Sequence, residues 1–127
     1  VNDMSARDLG KTNIPTLFDW FQVKAFDTSL PMGPCLTLKE EITDPHNLKL
    51  VVRVNDQIVQ ESSTGEMIFK IPDIIEFISD FITLDPGDII ATGTPGGSKG
   101  ALVSGDQVEV EITNIGVLHS IIANRVH

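Results

Sequence analysis

The sequence predicts an α+β domain that is mainly β. Two segments, residues 48–61 and 107–123, alternate apolar with polar side chains on either side of a turn, which is the pattern of a β-hairpin. Between them, residues 71–82 carry apolar side chains at helical spacing. At 127 residues, of which 41% are hydrophobic and 21% charged, the chain is long enough and apolar enough for a single domain over residues 1–127.

Each predicted element has its own turn chemistry. The first hairpin turns at Asn55-Asp56 and the second at Asn114-Ile115-Gly116. Pro72 sits where the first turn of a helix tolerates proline, so we expect one amphipathic helix of about three turns. Asp85-Pro86-Gly87-Asp88 should end that helix and start a short apolar strand at residues 89–91, which runs into the glycine-rich segment 92–97.

Charge and cysteine content exclude several classes of function. Eighteen acidic residues against nine basic ones give a formal net charge of −9, which repels nucleic acid and anionic lipid surfaces. Cys35 is the only cysteine, so the sequence offers no disulfide framework and no thiolate metal cluster. No apolar run approaches the roughly 20 residues that span a bilayer. We therefore expect a cytoplasmic protein that binds neither nucleic acid nor membranes.

Three polar segments are candidates for chemistry. The first surrounds Asp3, and the second contains Lys24 and Thr28. A lysine between apolar neighbours is either a surface side chain with a packed stem or a catalytic cation, and composition alone favours the surface reading. The third segment, residues 92–97, has glycines that allow close approach to a ligand, although such a segment on its own is more often a turn.

Other reactive side chains read as structural. Glu109 and Glu111 resemble a metal-binding pair, yet a strand that alternates Val with Glu is first of all a half-solvated strand. The chain has three histidines: His46, His119 and His127. None has a second histidine or a cysteine at ligand spacing, so we assign no histidine to catalysis. Cys35 is expected to be a small buried apolar residue rather than a nucleophile.

Seven stretches of the sequence follow one another in a characteristic order. They are NDMSARD, WFQVKAFDT, LPMGPCL, DPHNLKLVVRVNDQIVQES, MIFKIPDIIEFIS, TLDPGDIIATGTPGG and SGDQVEVEITNIGVLHSII. In this order they resemble the fumarylacetoacetate hydrolase family, and most of all its acylpyruvate hydrolases, fumarylpyruvate hydrolases and the isomerase/decarboxylases of homoprotocatechuate breakdown. The resemblance implies a mixed β-sandwich roll of the family's C-terminal domain type, a homodimer, and Mg²⁺, Mn²⁺ or Ca²⁺ in a pocket at one end.

The resemblance also implies roles for single residues. Asp3 matches a metal-ligating aspartate, and Thr28 matches a residue near the same ion. Lys24 matches the catalytic lysine beside the metal. Gly93 and Thr94 match substrate-binding positions in the turn that follows residues 89–91.

Two departures from the family pattern bear on the rest of the protein. Gly10 stands where hydrolases of fumarylacetoacetate itself place a substrate-contacting glutamine, which disfavours that larger diketo acid as the substrate. The family's other metal carboxylates and its histidine-containing lid come from sequence upstream of NDMSARD. We therefore expect this chain to be the C-terminal part of a longer catalytic domain. Glu109 and Glu111 match a different strand and do not replace those carboxylates.

The implied chemistry is enolate formation on a 2-oxo acid. Breaking a C–C bond leaves a pyruvate-type enolate, which a divalent cation and the Lys24 ammonium would both stabilise. Hydrolysis of an acylpyruvate in aromatic-compound catabolism is the first expectation. The alternatives are isomerisation or decarboxylation in homoprotocatechuate breakdown, decarboxylation of oxaloacetate, and a non-catalytic binding module with the same fold.

Overall fold

The computed structural model describes residues 1–11, 19–95 and 100–124, which include one four-stranded antiparallel sheet. Its strands are β1 (Lys49–Val54), β2 (Gln57–Ser63), β3 (Gln107–Ile112) and β4 (Gly116–Ile121). They lie in the order β2-β1-β3-β4, so each hairpin contributes one central and one edge strand. Both predicted hairpins are confirmed.

Two α-helices and three short 3₁₀ turns complete the described elements. The helices are α1 (Trp20–Lys24) and α2 (Ile71–Ser79), and the 3₁₀ turns cover Arg7–Gly10, Lys39–Glu41 and Thr64–Glu66. The predicted α+β class with mainly β content and one main amphipathic helix is confirmed. Across the described ranges, no helix combines the length and apolar composition that a bilayer span requires.

The turn residues explain why the first hairpin forms where the sequence predicts it. Asn55 and Asp56 both have positive φ, 49° and 65°, as the favoured two-residue hairpin turn requires. One irregularity lies further along this hairpin. Val52 pairs with Gln60 but Arg53 pairs with Ile58, which leaves one extra residue on β2 as a β-bulge. The bulge lies directly beside Gln60.

The core lies on both faces of the central strands. Val108 and Val110 are buried on one face of β3, and Val51 is buried on the opposite face of β1. Leu48 is buried just before β1 begins. Each fully buried valine contributes about 1.5–3 kcal/mol of transfer free energy, so these few side chains account for much of the sheet's stability.

Helix α2 is held at its first turn by capping bonds. The Asp73 carboxylate accepts a hydrogen bond from Lys70 N at 3.0 Å, and His46 Nε2 accepts one from Ile71 N at 3.0 Å. Pro72 lies in the same turn, as predicted. His46 Nε2 therefore serves as a cap for the first turn of α2.

Two predictions about local structure are wrong. Residues 89–91 form no strand, because they join neither β2 nor β4, the edges of the described sheet, and Ile89 stays 53% exposed. Cys35 is exposed rather than buried. It lies in an irregular surface segment, with its Sγ 3.6 Å from the carbonyl oxygen of Ile115 and 3.7 Å from Thr37 Oγ1.

Asp106 connects the two hairpins at one end of the sheet. Its carboxylate accepts hydrogen bonds from Val103 N and from Asn55 Nδ2, each at 2.8 Å. Asn55 Oδ1 in turn accepts from Gln107 N at 3.0 Å. The Val103 amide, and after it the Asn55 side chain, lower the pKa of Asp106 because they stabilise its ionised form.

We expect Asp106→Asn to lower Tm at about pH 7, because an amide oxygen accepts weaker hydrogen bonds than a carboxylate. A carboxylate with a lowered folded-state pKa stabilises the fold above its unfolded pKa, about 3.9, and loses this contribution as the pH falls through the folded value. The Tm difference between wild type and variant should therefore shrink at acidic pH. Thermal unfolding followed by circular dichroism measures it, with Asp80→Asn as the exposed control. A difference that does not change with pH would contradict the assignment.

Candidate functional site

The segment that carries Asp3 is fixed by backbone hydrogen bonds to two other parts of the chain. Asn2 N donates to Pro31 O at 3.0 Å, and Met4 N donates to Ser29 O at 2.9 Å. Further along, Ala6 N donates to Val23 O at 3.1 Å. Residues 2–4 therefore run alongside residues 29–31, and the segment reaches α1 at Val23.

Helix α1 places Lys24 beside this segment. The helix begins after Asp19, whose carboxylate caps it by accepting a hydrogen bond from Gln22 N at 3.1 Å. Val23, on the buried side, is 0% exposed and anchors the helix. Lys24 is the last residue of α1, where the negative end of the helix dipole favours a cation.

Asp3 and Lys24 form an ion pair. Lys24 Nζ lies 2.8 Å from Asp3 Oδ1, and the two side chains are 34% and 46% exposed. The structure thus brings together the predicted metal ligand and the predicted catalytic lysine, which stand 21 positions apart in the sequence. Both charged groups remain accessible to a ligand. The roles assigned to them stay predictions.

Thr28 lies in the turn between α1 and residues 29–31, which run alongside residues 2–4. Its φ is 66°, in the left-handed region, which is unusual for a β-branched residue. The neighbouring Ser29 carbonyl accepts the Met4 hydrogen bond, so this turn is tied to the strand-like segment around Asp3. Strained backbone of this kind is concentrated at functional sites. The position of Thr28 near a metal stays a prediction.

The Asp3 carboxylate fits part of a divalent cation site. An accessible carboxylate is the ligand that Mg²⁺ and Mn²⁺ prefer, and Mg²⁺ is often held by one or two carboxylates with several waters. In the described ranges, no group of three or more His, Cys, Asp or Glu side chains is arranged to hold a metal. Asp3 therefore fits as one ligand of such an ion, and the described residues do not form a complete protein cage.

Gly93 and Thr94 lie in a second location, against β2. Gln60 Nε2 donates to Thr94 Oγ1 and to Pro95 O, each at 2.7 Å. The loop borders a cleft of about 280 Å³. The lining residues are Glu66, Met67, Ile68, Phe69, Ile74, Thr92, Gly93, Thr94 and Pro95. Gly93 has φ 72°, a conformation that glycine adopts without strain. Asp3 and Lys24 are not among the lining residues.

Glu109 and Glu111 contact basic side chains of neighbouring strands. Arg53 Nη1 donates to Glu111 Oε2 at 2.7 Å and lies 4.0 Å from Glu109 Oε2. His119 Nδ1 lies 3.1 Å from Glu109 Oε1. These cross-strand contacts account for both carboxylates and for His119 as parts of the sheet surface. His127 lies outside the described residues.

A model of the fumarylacetoacetate (FAA) hydrolase C-terminal family matches residues 1–123. The chain therefore belongs to the fumarylacetoacetate hydrolase family, as its motifs indicate. It is 46% identical over 124 residues to the mitochondrial oxaloacetate tautomerase Fahd2a of Rattus norvegicus, a match that covers 93% of this chain and 39% of the relative. The chain thus spans about two fifths of the length of this curated relative.

Two solved structures extend the comparison. Maleylpyruvate hydrolase of Sphingobium sp. SYK-6, in complex with manganese(II) and pyruvate, is 39% identical with a TM-score of 0.76, over 81% of this chain and 38% of that one. The 2-hydroxyhepta-2,4-diene-1,7-dioate isomerase of Mycobacterium marinum is 37% identical with a TM-score of 0.81, over 95% of this chain and 45% of that one. The hydrolase and the isomerase therefore share the fold of the described chain, and the tautomerase is related to it by sequence.

Gln60 is the site residue that sequence reasoning missed. It lies within a polar run of β2, and alternation alone does not show which face of the sheet it occupies. In the structure Gln60 pairs with Val52 of β1, directly beside the β-bulge. Its side chain is only 9% exposed. The one indication in the sequence is that this glutamine lies on the strand that pairs with the valine-rich strand β1.

We expect the Asp3–Lys24 pair to contribute little to stability, because partly exposed ion pairs are screened by water. Asp3→Ala and Lys24→Met should each change the free energy of unfolding by less than about 1 kcal/mol. Val23→Ala, one residue away and fully buried, should cost about 2 kcal/mol and serves as the contrast. Urea unfolding measures all three variants. A loss for Asp3→Ala as large as that for Val23→Ala would show that the pair is structural.

Proposed function

We propose that this chain forms part of a divalent-metal-dependent enzyme that converts a 2-oxo acid through its enolate. The Asp3–Lys24 pair carries the proposal, since it holds an accessible carboxylate and an accessible ammonium 2.8 Å apart. A non-catalytic binding module would have no need to keep these two opposite charges accessible. The names of the relatives support the same chemistry, because oxaloacetate, maleylpyruvate and pyruvate are all 2-oxo acids.

Asp3 would hold the cation, with Thr28 close to it. A bound divalent cation supplies positive charge that makes a proton beside a 2-oxo group more acidic. Mg²⁺, Mn²⁺ and Ca²⁺ all accept carboxylate oxygens, and the manganese(II) in the related hydrolase makes Mn²⁺ the first ion to test. Lys24 would place a second positive charge near the substrate.

Keto–enol tautomerisation of oxaloacetate is the reaction we propose first. A general base takes a proton from C3 and its conjugate acid, or a water molecule, returns a proton to the oxygen on C2, so no C–C bond breaks and no water is consumed. The Lys24 ammonium stabilises the negative charge that develops on the C2 oxygen. The 46% identity to a mitochondrial oxaloacetate tautomerase supports this choice over the other enolate reactions.

Hydrolysis of an acylpyruvate is the second candidate, favoured by the likeness to maleylpyruvate hydrolase. Hydrolysis needs a general base that activates water, in addition to the groups that stabilise an enolate. Within the described residues, His46 caps α2 and His119 contacts Glu109, and the family resemblance implies such a base in the histidine-containing lid upstream of NDMSARD.

The homodimer and the cytoplasmic location remain predictions. Several large apolar side chains on and near α2 stay exposed, among them Phe69, Phe77 and Phe81. Exposed apolar surface of this kind is typical of a face that another protein surface covers. It supports the proposal of self-association without identifying the interface.

Replacing Asp3 tests the metal assignment. We expect Asp3→Ala in the native protein to lower kcat/KM for oxaloacetate tautomerisation by about 100-fold or more with Mn²⁺ present, because the ion loses a ligand. Calorimetric titration of Mn²⁺ should show weaker binding in parallel. Asp8→Ala is the matched control, since Asp8 pairs with Lys11 on the surface of the same segment. Unchanged kcat/KM and unchanged Mn²⁺ affinity would refute the assignment of Asp3.

Lys24→Met tests the second charge. We expect kcat to fall by about 100-fold while Mn²⁺ affinity is largely kept, because the lysine acts on developing negative charge rather than as a ligand. Stopped-flow absorbance of the enol and calorimetry separate the two effects, and Lys11→Met controls for the loss of one lysine. A normal kcat would remove Lys24 from the mechanism. Release of CO2 or of a cleaved acid at the rate of substrate loss would instead identify decarboxylation or hydrolysis.

A further inference from the structure

Gln60 is a buried polar side chain that makes two short hydrogen bonds. It is only 9% exposed, and its Nε2 lies 2.7 Å from both Thr94 Oγ1 and Pro95 O. Buried polar groups are costly unless they are paired, so both contacts matter to the fold. They connect strand β2 to the loop that borders the cleft.

The Pro95 carbonyl fixes the orientation of the Gln60 amide. A carbonyl oxygen can only accept a hydrogen bond, so the group that faces it must be the NH₂ of Gln60 and not its oxygen. The two hydrogens of that NH₂ then point to the two acceptors, Pro95 O and Thr94 Oγ1. Thr94 is therefore an acceptor in its bond with Gln60.

This arrangement determines what the Thr94 hydroxyl offers to a ligand. A hydroxyl has one hydrogen to donate, and the bond from Gln60 occupies only an acceptor position. In the part of the chain that the structure describes, no other group accepts the Thr94 hydrogen. The hydroxyl is thus available as a donor, and donors bind the carboxylates of anionic ligands especially well.

Two backbone features hold the pair in place. Thr94 precedes Pro95, and the proline ring restricts the backbone of the residue before it to extended conformations. On the other side, the β-bulge between Val52 and Arg53 sets which side chains of β2 face the loop. The position of the Thr94 oxygen therefore depends on few remaining torsions.

The cleft beside Thr94 is mostly apolar. Its walls include Met67, Ile68 and Phe69. Its charged lining residue, Glu66, accepts a hydrogen bond from Ser63 N, which caps the start of the 3₁₀ turn. A short organic acid would place carbon atoms against the apolar side chains and a carboxylate at Thr94.

We propose that Gln60 is a positioning residue that keeps the Thr94 hydroxyl turned toward the cleft as a donor to the carboxylate of a bound 2-oxo acid. The inference rests on the proposed function for its ligand class, and it adds a residue and a direction of hydrogen bonding. Gln60 touches no substrate itself and acts through Thr94.

A double-mutant cycle in the native protein tests the proposal, with pyruvate and Mn²⁺ as the probe. We expect Gln60→Met and Thr94→Val each to weaken pyruvate binding by about tenfold or more, as the loss of one hydrogen bond to a charged group predicts. The double variant should bind no worse than Thr94→Val alone, because Gln60 acts through the hydroxyl. Thr94→Ser should keep the affinity, and Gln57→Met at the exposed end of β2 is the matched control.

Steady-state kinetics provide a second test of the proposal. Loss of an interaction present in both ground and transition states raises KM with little change in kcat, so Gln60→Met should raise KM for the 2-oxo acid. Affinity losses that simply add in the cycle would show that Gln60 only supports the fold, and would overturn the proposal.

A measurement without ligand separates this proposal from the proposed function. Thr94→Val should shift the NMR signals of the Gln60 side-chain amide, since it removes one acceptor of the NH₂. Unchanged Gln60 signals would overturn the pairing while leaving the enolate chemistry intact. Failure of the wild-type protein to bind pyruvate with Mn²⁺ would count instead against the 2-oxo acid ligand, and with it against both proposals.

Discussion

The antiparallel pairing of β1 with β3 is the contact on which the rest of the structure depends. It joins two hairpins that the sequence separates by α2 and by the loop at residues 92–95, with Val52 opposite Val110 at its centre. One face of this pairing buries Val108 and Val110, and the other carries the contacts of Arg53 with Glu109 and Glu111. A slip by one residue would exchange these faces and bury the charges.

Asp3 and Thr94 are held by separate sets of contacts. Residues 2–4 are positioned by backbone bonds to Pro31 and Ser29 and by the neighbouring helix α1. Thr94 is positioned by a side chain that rises from β2. Accessible charges lie at the first location and a mostly apolar cleft at the second. In the mechanism that we propose, stabilising negative charge and accommodating the carbon skeleton of a ligand therefore fall to different parts of the chain.

Much of this structure could be predicted from the sequence, and the parts that could not be predicted have physical causes. Alternation, the Asn55-Asp56 turn and helical spacing are local signals, so both hairpins and α2 could be predicted. Residues 89–91 look like a strand, but a strand exists only if a neighbour pairs with its backbone. The bulge that sets the surroundings of Gln60 leaves no local pattern. The approach of Asp3 to Lys24 was expected only from family resemblance, because nothing near either residue specifies a contact across 21 positions.

The attachment of the loop at residues 92–95 to the sheet through Gln60 has a consequence for how such proteins diversify. Side chains that form the cleft, such as Ile68 and Phe69, take no part in the backbone bonds that hold the segment around Asp3. A lineage could thus acquire a preference for a new acid substrate by altering one loop and the segment before α2. The charged pair that we propose to stabilise the enolate would be inherited unchanged. Tautomerases, hydrolases and isomerases with one common architecture are the outcome that this division of the chain would produce.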